Sequence, residues 1–147
     1  MQAQVNTVAS RGVETIDVTV QIHIGNGLPA ITIVGLADKA VAESRERVRA
    51  ALASVGLALP PKRIAVNLAP ADVLKEGAHF DLPIALGLMV AMDVVLSDAI
   101  DNTLVLGELG LDGGIQPVWG ILPAAIAALA SGRELTCPMA CGGEAAW

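Results

Sequence analysis

Apolar and polar residues alternate from Thr15 to Ile24: Ile16, Val18, Val20, Ile22 and Ile24 interleave with Thr15, Asp17, Thr19, Gln21 and His23. A period of two buries one face of a strand and wets the other. Gln4 to Ser10 reads as a shorter strand before it. Gly25-Asn26-Gly27 has the composition of a hairpin turn, so Ala30 to Val34 is expected to return beside the long strand, ended by Gly35. From Asp38 to Val55 the period becomes helical. Val41, Val48, Leu52 and Val55 share one stripe, while Glu43, Glu46, Arg47 and Arg49 lie off it. Asp38 is placed to cap this helix and Gly56 to end it. Glu43 and Arg47 have the spacing of a favourable helical ion pair, and the charged cluster reads as a solvated face or a subunit rim.

Pro60-Pro61 breaks the chain, and Ile64, Val66 and Leu68 then alternate as another strand. The stretch Asn67 to Pro83 leads from that strand into Leu82 to Met92, which is apolar on nearly every side, as a helix between a sheet and a neighbour must be. Asp81 has the position of its N-cap, and Pro83 suits its first turn. Thr103 to Leu106 is a strand, carried onward through Gly107 to Leu111, turned at Asp112-Gly113-Gly114 and returned over Ile115 to Val118. Gly120 to Ser131 is a third helix, and Glu134 to Cys137 starts a last strand. The order is that of an α+β sandwich: a mixed sheet with helices packed on one face. It spans residues 1–147 as one domain, and the ending at Trp147 without a polar tail is expected to be a cut inside a longer protein.

Composition sharpens this. Of 147 residues, 54% are apolar and 16% charged, with one Phe, two Trp and no Tyr, so the core must be aliphatic. A formal charge of −6 argues against gripping nucleic acid by the field of this segment alone. The one basic cluster is Arg45, Arg47 and Arg49, interleaved with acids. Two cysteines make no disulfide framework, and no signal peptide or span of roughly 20 apolar residues is present, which together fit a cytoplasmic chain with no membrane partner. Cys137 and Cys141 have no second pair or nearby His, so no metal site is expected and both read as small buried hydrophobes. Lys39, Lys62 and Lys75 do not follow glycine, so no phosphate loop of the Walker type is read here. Gly107 to Gly114 reads as turn chemistry.

Three blocks, GLPAITIVGLADKAVAESRERVRAAL, PPKRIAVNLAPADVLKEGAHFDLPIALGL and LGELGLDGGIQPVWGILPA, resemble the N-terminal domain of the magnesium-chelatase-like AAA+ ATPases, in order and over nearly the whole chain. The resemblance implies the fold of ribosomal protein S5 domain 2 and of the Lon proteolytic domain. It implies a hexameric ATPase whose ATP- and Mg2+-binding module follows this segment, so that no cofactor is expected within these residues. Partners would be that module and neighbouring subunits, with DNA handled through the parent protein. Competence-type members of the family drive DNA branch migration.

The Lon likeness implies a test for peptidase chemistry. Lon-type peptidases use a Ser nucleophile and a Lys base. The loop Lys75-Glu76-Gly77-Ala78-His79-Phe80-Asp81 resembles the loop bearing that Ser, and its place falls on His79; the place of the Lys falls on Leu122. A leucine cannot take a proton, and the loop offers no hydroxyl or thiol. No catalytic residue is therefore assigned. His79 is expected at the surface or beside the helix cap, and His23 on the polar face of its strand. Lys75 and Glu76 are expected to pair or cap, Gly77 to allow a tight turn, Phe80 to plug the core and Asp81 to cap the helix. The alternative role for this loop, with Arg45, Arg47 and Arg49, is an interface. The expected function is a non-catalytic assembly domain of a DNA motor; the alternatives are an atypical ATP-dependent peptidase and a subunit inserting metal into porphyrin.

Overall fold

A six-stranded mixed sheet is built in the order β3-β4-β2-β1-β5-β8. The computed structural model describes residues 1–12 and 14–146, so the expected cut at Trp147 lies outside the described residues. Strands β1 (Gln2–Arg11) and β2 (Glu14–Gly25) form a long antiparallel pair. As the alternation requires, Val18, Val20, Ile22 and Ile24 are buried, while His23 is exposed on the polar face. β4 (Arg63–Ala69) lies antiparallel on the other side of β2, burying Ile64, Val66 and Leu68.

β3 (Ala30–Val34) does not return beside β2. It pairs in parallel with β4, from Ala30↔Arg63 to Val34↔Asn67, and so forms the sheet edge. The expected hairpin is corrected for a physical reason. Helix α1 (Asp38–Ser54) links β3 to β4 as a crossover, which makes neighbouring strands parallel. The Gly25–Gly27 turn therefore steps over the strand that later fills the gap. At the start of α1 the N-cap is Ala37, with no side-chain cap, so Asp38 is not the capping residue expected. The stripe of α1 that faces inward is Ser44, Val48, Ala51 and Leu52; Val55 is exposed.

α2 (Asp81–Ala91) is buried along most of its length, between β1 and β2 on one side and α1 on the other, which explains its lack of a polar face. It shares the main core with Val5, Ala9 and Val105, residues of β1 and of β5 (Thr103–Val105). Alternate residues of a strand point to opposite faces. Val8 and Leu104 accordingly join Leu106, Ile121, Ala124, Ala128 and Cys141 in a second, smaller core. That core lies under α3 (Ile121–Ala130), on the face away from α1 and α2, and both free cysteines belong to it. The sheet closes with β8 (Glu134–Thr136), parallel to β5. β6 (Glu108–Leu109) and β7 (Ile115–Gln116) form a separate small hairpin across the turn expected at Asp112–Gly114. A short α4 (Gly142–Ala145) packs on α3. The α+β class and the mixed sheet are those expected from the sequence, but the helices are not all on one face: α3 covers the face opposite α1 and α2, because Val8 and Leu104 turn apolar side chains to that side as well. No helix among the described residues is long and apolar enough to cross a membrane.

Candidate functional site

The loop between β4 and α2, together with the first residue of the helix, carries most of the side chains singled out from the sequence. Asp81 goes inward. Its carboxylate is fully buried and accepts from Ser44 Oγ at 2.7 Å, Arg47 Nε at 2.6 Å, Arg47 Nη2 at 3.2 Å and the Leu109 backbone N–H at 3.1 Å. The expected capping role is corrected. Phe80 holds the N-cap position without a side-chain bond, and Asp81 is the first residue of α2. Its side chain instead ties α1, α2 and β6 together at one point. A carboxylate removed from water needs such a set of donors. The hydrogen bond to Asp81, opposed by partial burial, holds the Arg47 guanidinium above the usual arginine range.

Arg47 is therefore not the solvated rim residue expected. Its contact to Glu43, at 3.9 Å, is the long one of its two ion pairs. Arg45 Nη1 donates to the Ile31 carbonyl at 3.4 Å and is half-buried, which leaves Arg49 as the exposed member of the cluster. Ser44 and Leu109 were not singled out from the sequence. A signal for the first existed: Ser44 and Arg47 stand four residues before Val48 and Ala51, so both fall on the buried stripe. Polar residues there imply a polar partner.

Of the two places expected for His79, it takes the second: it stands one residue before the Phe80 N-cap and is 6% exposed, not at the surface. β1 pairs with β5 around Asn6↔Leu104, and beyond that point His79 Nε2 meets the Val8 carbonyl at 2.7 Å. A carbonyl only accepts, so Nε2 carries the proton and Nδ1 of the neutral ring is a lone pair. The ring packs on Phe80 with centroids 4.0 Å apart, and Phe80 fills the core below. Gly77 has φ +101°, and a Cβ there would stand 2.9 Å from His79 Nδ1, so both the turn and the close approach need glycine. Two further bonds fasten the loop: Gly107 N–H to the His79 carbonyl at 3.0 Å, and Leu82 N–H to the Gly107 carbonyl at 2.9 Å. A Cβ on Gly107 would come within 2.9 Å of the Leu82 side chain, so this glycine serves close approach as well as the turn chemistry read from the sequence.

Lys75 and Glu76 do not pair. Lys75 is buried with Nζ donating to the Val73 carbonyl at 2.9 Å, while Glu76 is exposed. Burial pushes the Lys75 ammonium below the usual lysine range, and Asp72 pulls it back. Lys75 lines a shallow hollow with Asp72 and Leu36. His79, Glu76 and Gly77 line a different cleft of about 320 Å³. Ser10, Glu108 and Trp119, which the sequence reading did not gather, complete it from β1, β6 and the segment before α3. Leu122 lies on α3 and is not part of this cleft. Among the described residues no three His, Cys, Asp or Glu side chains are grouped to hold a metal ion.

Burial, ahead of the opposing Val8 bond and Asp81 charge, lowers the His79 pKa. The unfolded chain, with its imidazole near 6.5, then binds more protons than the folded one below that value, so stability rises with pH there. Stability in urea is expected to fall as the pH drops from about 7 to about 5.5, and His79→Gln is expected to flatten that slope. An equal slope in parent and variant would contradict it.

The fold and the loop held between β4 and α2 give an α+β domain, and the comparison of sequences gives its family. The chain belongs to the family described as subunit ChlI of Mg-chelatase, whose family model matches residues 20–140. It is 46% identical over 127 residues to the competence protein ComM of Haemophilus influenzae, covering 86% of this chain and 25% of that protein. It is 43% identical over 131 residues to the uncharacterized protein YifB of Escherichia coli, covering 89% of this chain and 26% of that protein. An uncharacterized protein of Mycobacterium tuberculosis is 41% identical over 126 residues, 86% of this chain and 25% of that protein. The chain thus spans about a quarter of the length of these curated relatives.

Proposed function

We propose that these residues form the N-terminal, non-catalytic assembly domain of a hexameric, cytoplasmic AAA+ ATPase that drives DNA branch migration. ATP and Mg2+ would be held by a following ATPase module and not by these residues, and DNA would be handled through the parent. Family membership and the similarity to a protein named for competence support this reading. One observation carries it: at the position where the Lon likeness puts a nucleophile stands His79, whose Nε2 is occupied in bracing the Val8 carbonyl. At the position of the base stands Leu122. Arg49, with Arg45 beside it, is what remains of the basic cluster for a subunit contact.

A second reading, an atypical peptidase, has one specific observation behind it: the Ser10 hydroxyl lines the cleft that holds His79. No hydrogen bond joins the two among the described residues. One experiment separates the readings. The intact parent protein is given casein and ATP, and separately a branched DNA junction and ATP. The expected result is junction movement without casein cleavage. Cleavage that disappears in both His79→Ala and Ser10→Ala would replace the first reading by the second.

A further inference from the structure

The cleft between the end of β1, the His79 loop, β6 and the start of α3 has an uneven chemistry. Glu76 and Glu108 both line it, and neither forms a salt bridge among the described residues. No Lys or Arg lines it. Ser10 adds a hydroxyl. His79 supplies the observation that separates this cleft from an ordinary acidic surface. The residue is 6% exposed, and its Nε2 is fixed on the Val8 carbonyl. Its Nδ1 has no hydrogen-bond partner among the described residues. Gly77 and His79 both line the cleft, and a Cβ built on Gly77 would stand 2.9 Å from Nδ1, so Nδ1 lies against the glycine that forms this wall. Gly77, lacking a Cβ, keeps that side of the ring clear.

Everything that reaches the cleft from these side chains therefore accepts, apart from the Ser10 hydroxyl, which can do either. An anion would find no basic side chain in the lining, and Arg47, the cation within electrostatic reach of Glu108, is already paired to Asp81. A metal ion would find no group of three ligating side chains. Beside the acceptors stands Trp119, 95% exposed, an indole that the core does not use. An indole face attracts a cation and packs on the aliphatic stem that carries one.

We propose that this cleft receives a basic side chain, an arginine, presented by a peptide segment of another protein chain. Arginine suits it better than lysine. Its planar fork carries five donors, enough to serve two carboxylates and an imidazole nitrogen together, and it stacks on indole. The volume of about 320 Å³ is on the scale of one side chain with its flanking backbone and not of a folded surface. The inference does not depend on the ATPase reading, since it uses only the chemistry of the cleft walls.

The test uses the isotope-labelled 147-residue chain and the blocked peptide alanyl-arginyl-alanine amide. Saturable shifts are expected at the Trp119 indole N–H and at the His79 ring. The same peptide with citrulline, which keeps the shape and loses the charge, should bind at least about fivefold more weakly. Glu108→Gln should weaken the arginine peptide to a similar degree. Glu76→Gln, at an exposed loop position that leaves the fold alone, gives the second reading of the same effect. Equal binding of the arginine and citrulline peptides would overturn the proposal. So would the absence of shifts at Trp119 in a chain whose spectrum stays folded, or saturable binding of inorganic phosphate at the same signals.

Discussion

Replacing Arg47 with methionine is expected to cost about 3–5 kcal/mol of folding stability, seen as a melting temperature lower by roughly 10–15 °C. An exposed helical cation would cost a few tenths of a kcal/mol. The difference lies in what is left behind. Asp81 keeps no exposure and would retain Ser44 and the Leu109 N–H as donors, with no positive charge to offset its own. Asp81→Asn should be costly by a related route, because one carboxylate oxygen becomes a donor facing the donors already there. The two positions are coupled. Combining Arg47→Met with Asp81→Leu removes charge from both sides and should recover much of the loss, since a buried pair often contributes little beyond satisfying itself. Thermal melts of the single and double variants form the cycle. An Arg47→Met chain melting within about two degrees of the parent would show that the guanidinium is not needed.

Phe80→Ala is expected to cost a similar amount, about 3–5 kcal/mol. Phe80 is 1% exposed and is the single phenylalanine of a chain whose core is otherwise aliphatic. Small aliphatic neighbours cannot reach across the space that a lost ring leaves, so the cavity term adds to the lost transfer energy. The ring also supports His79 from below. Phe80→Leu should therefore recover part of the stability. Urea unfolding midpoints for the two variants give the comparison. A loss below about 1 kcal/mol for the alanine variant would mean that the site collapses around the gap.

The strands of this domain were legible wherever one face is wet. β2 and β4 show their buried residues as a strict alternation, and α2 shows its burial as an absence of polar positions. What the sequence could not show was which strands become neighbours. Gly25-Asn26-Gly27 has hairpin chemistry, yet β4 takes the place beside β2, because local turn composition says nothing about a strand made thirty or more residues later. The loop was misread in the same way. Asp81 stands where a cap would stand, and a cap is a local interaction. Its actual donors come from α1 and β6, brought together only by the fold. His79 looked like a polar loop residue, and its burial follows from a backbone carbonyl on β1. The cleft was half legible: Glu76, Gly77 and His79 were singled out with the loop, whereas Ser10, Glu108 and Trp119 come from segments with no mark of their own.

The pairing of β1 with β5 sets Asn6 beside Leu104. During synthesis the first of these strands leaves the ribosome long before the second exists. At roughly 5–20 residues per second, the wait is on the order of 5–20 s. For that time one flank of β1, with the Val8 carbonyl that His79 later takes, is a bare strand edge of the kind that pairs with foreign chains. Until β5 is made, that edge is where the newly made β1–β2 pair is most open to joining a neighbouring copy of itself.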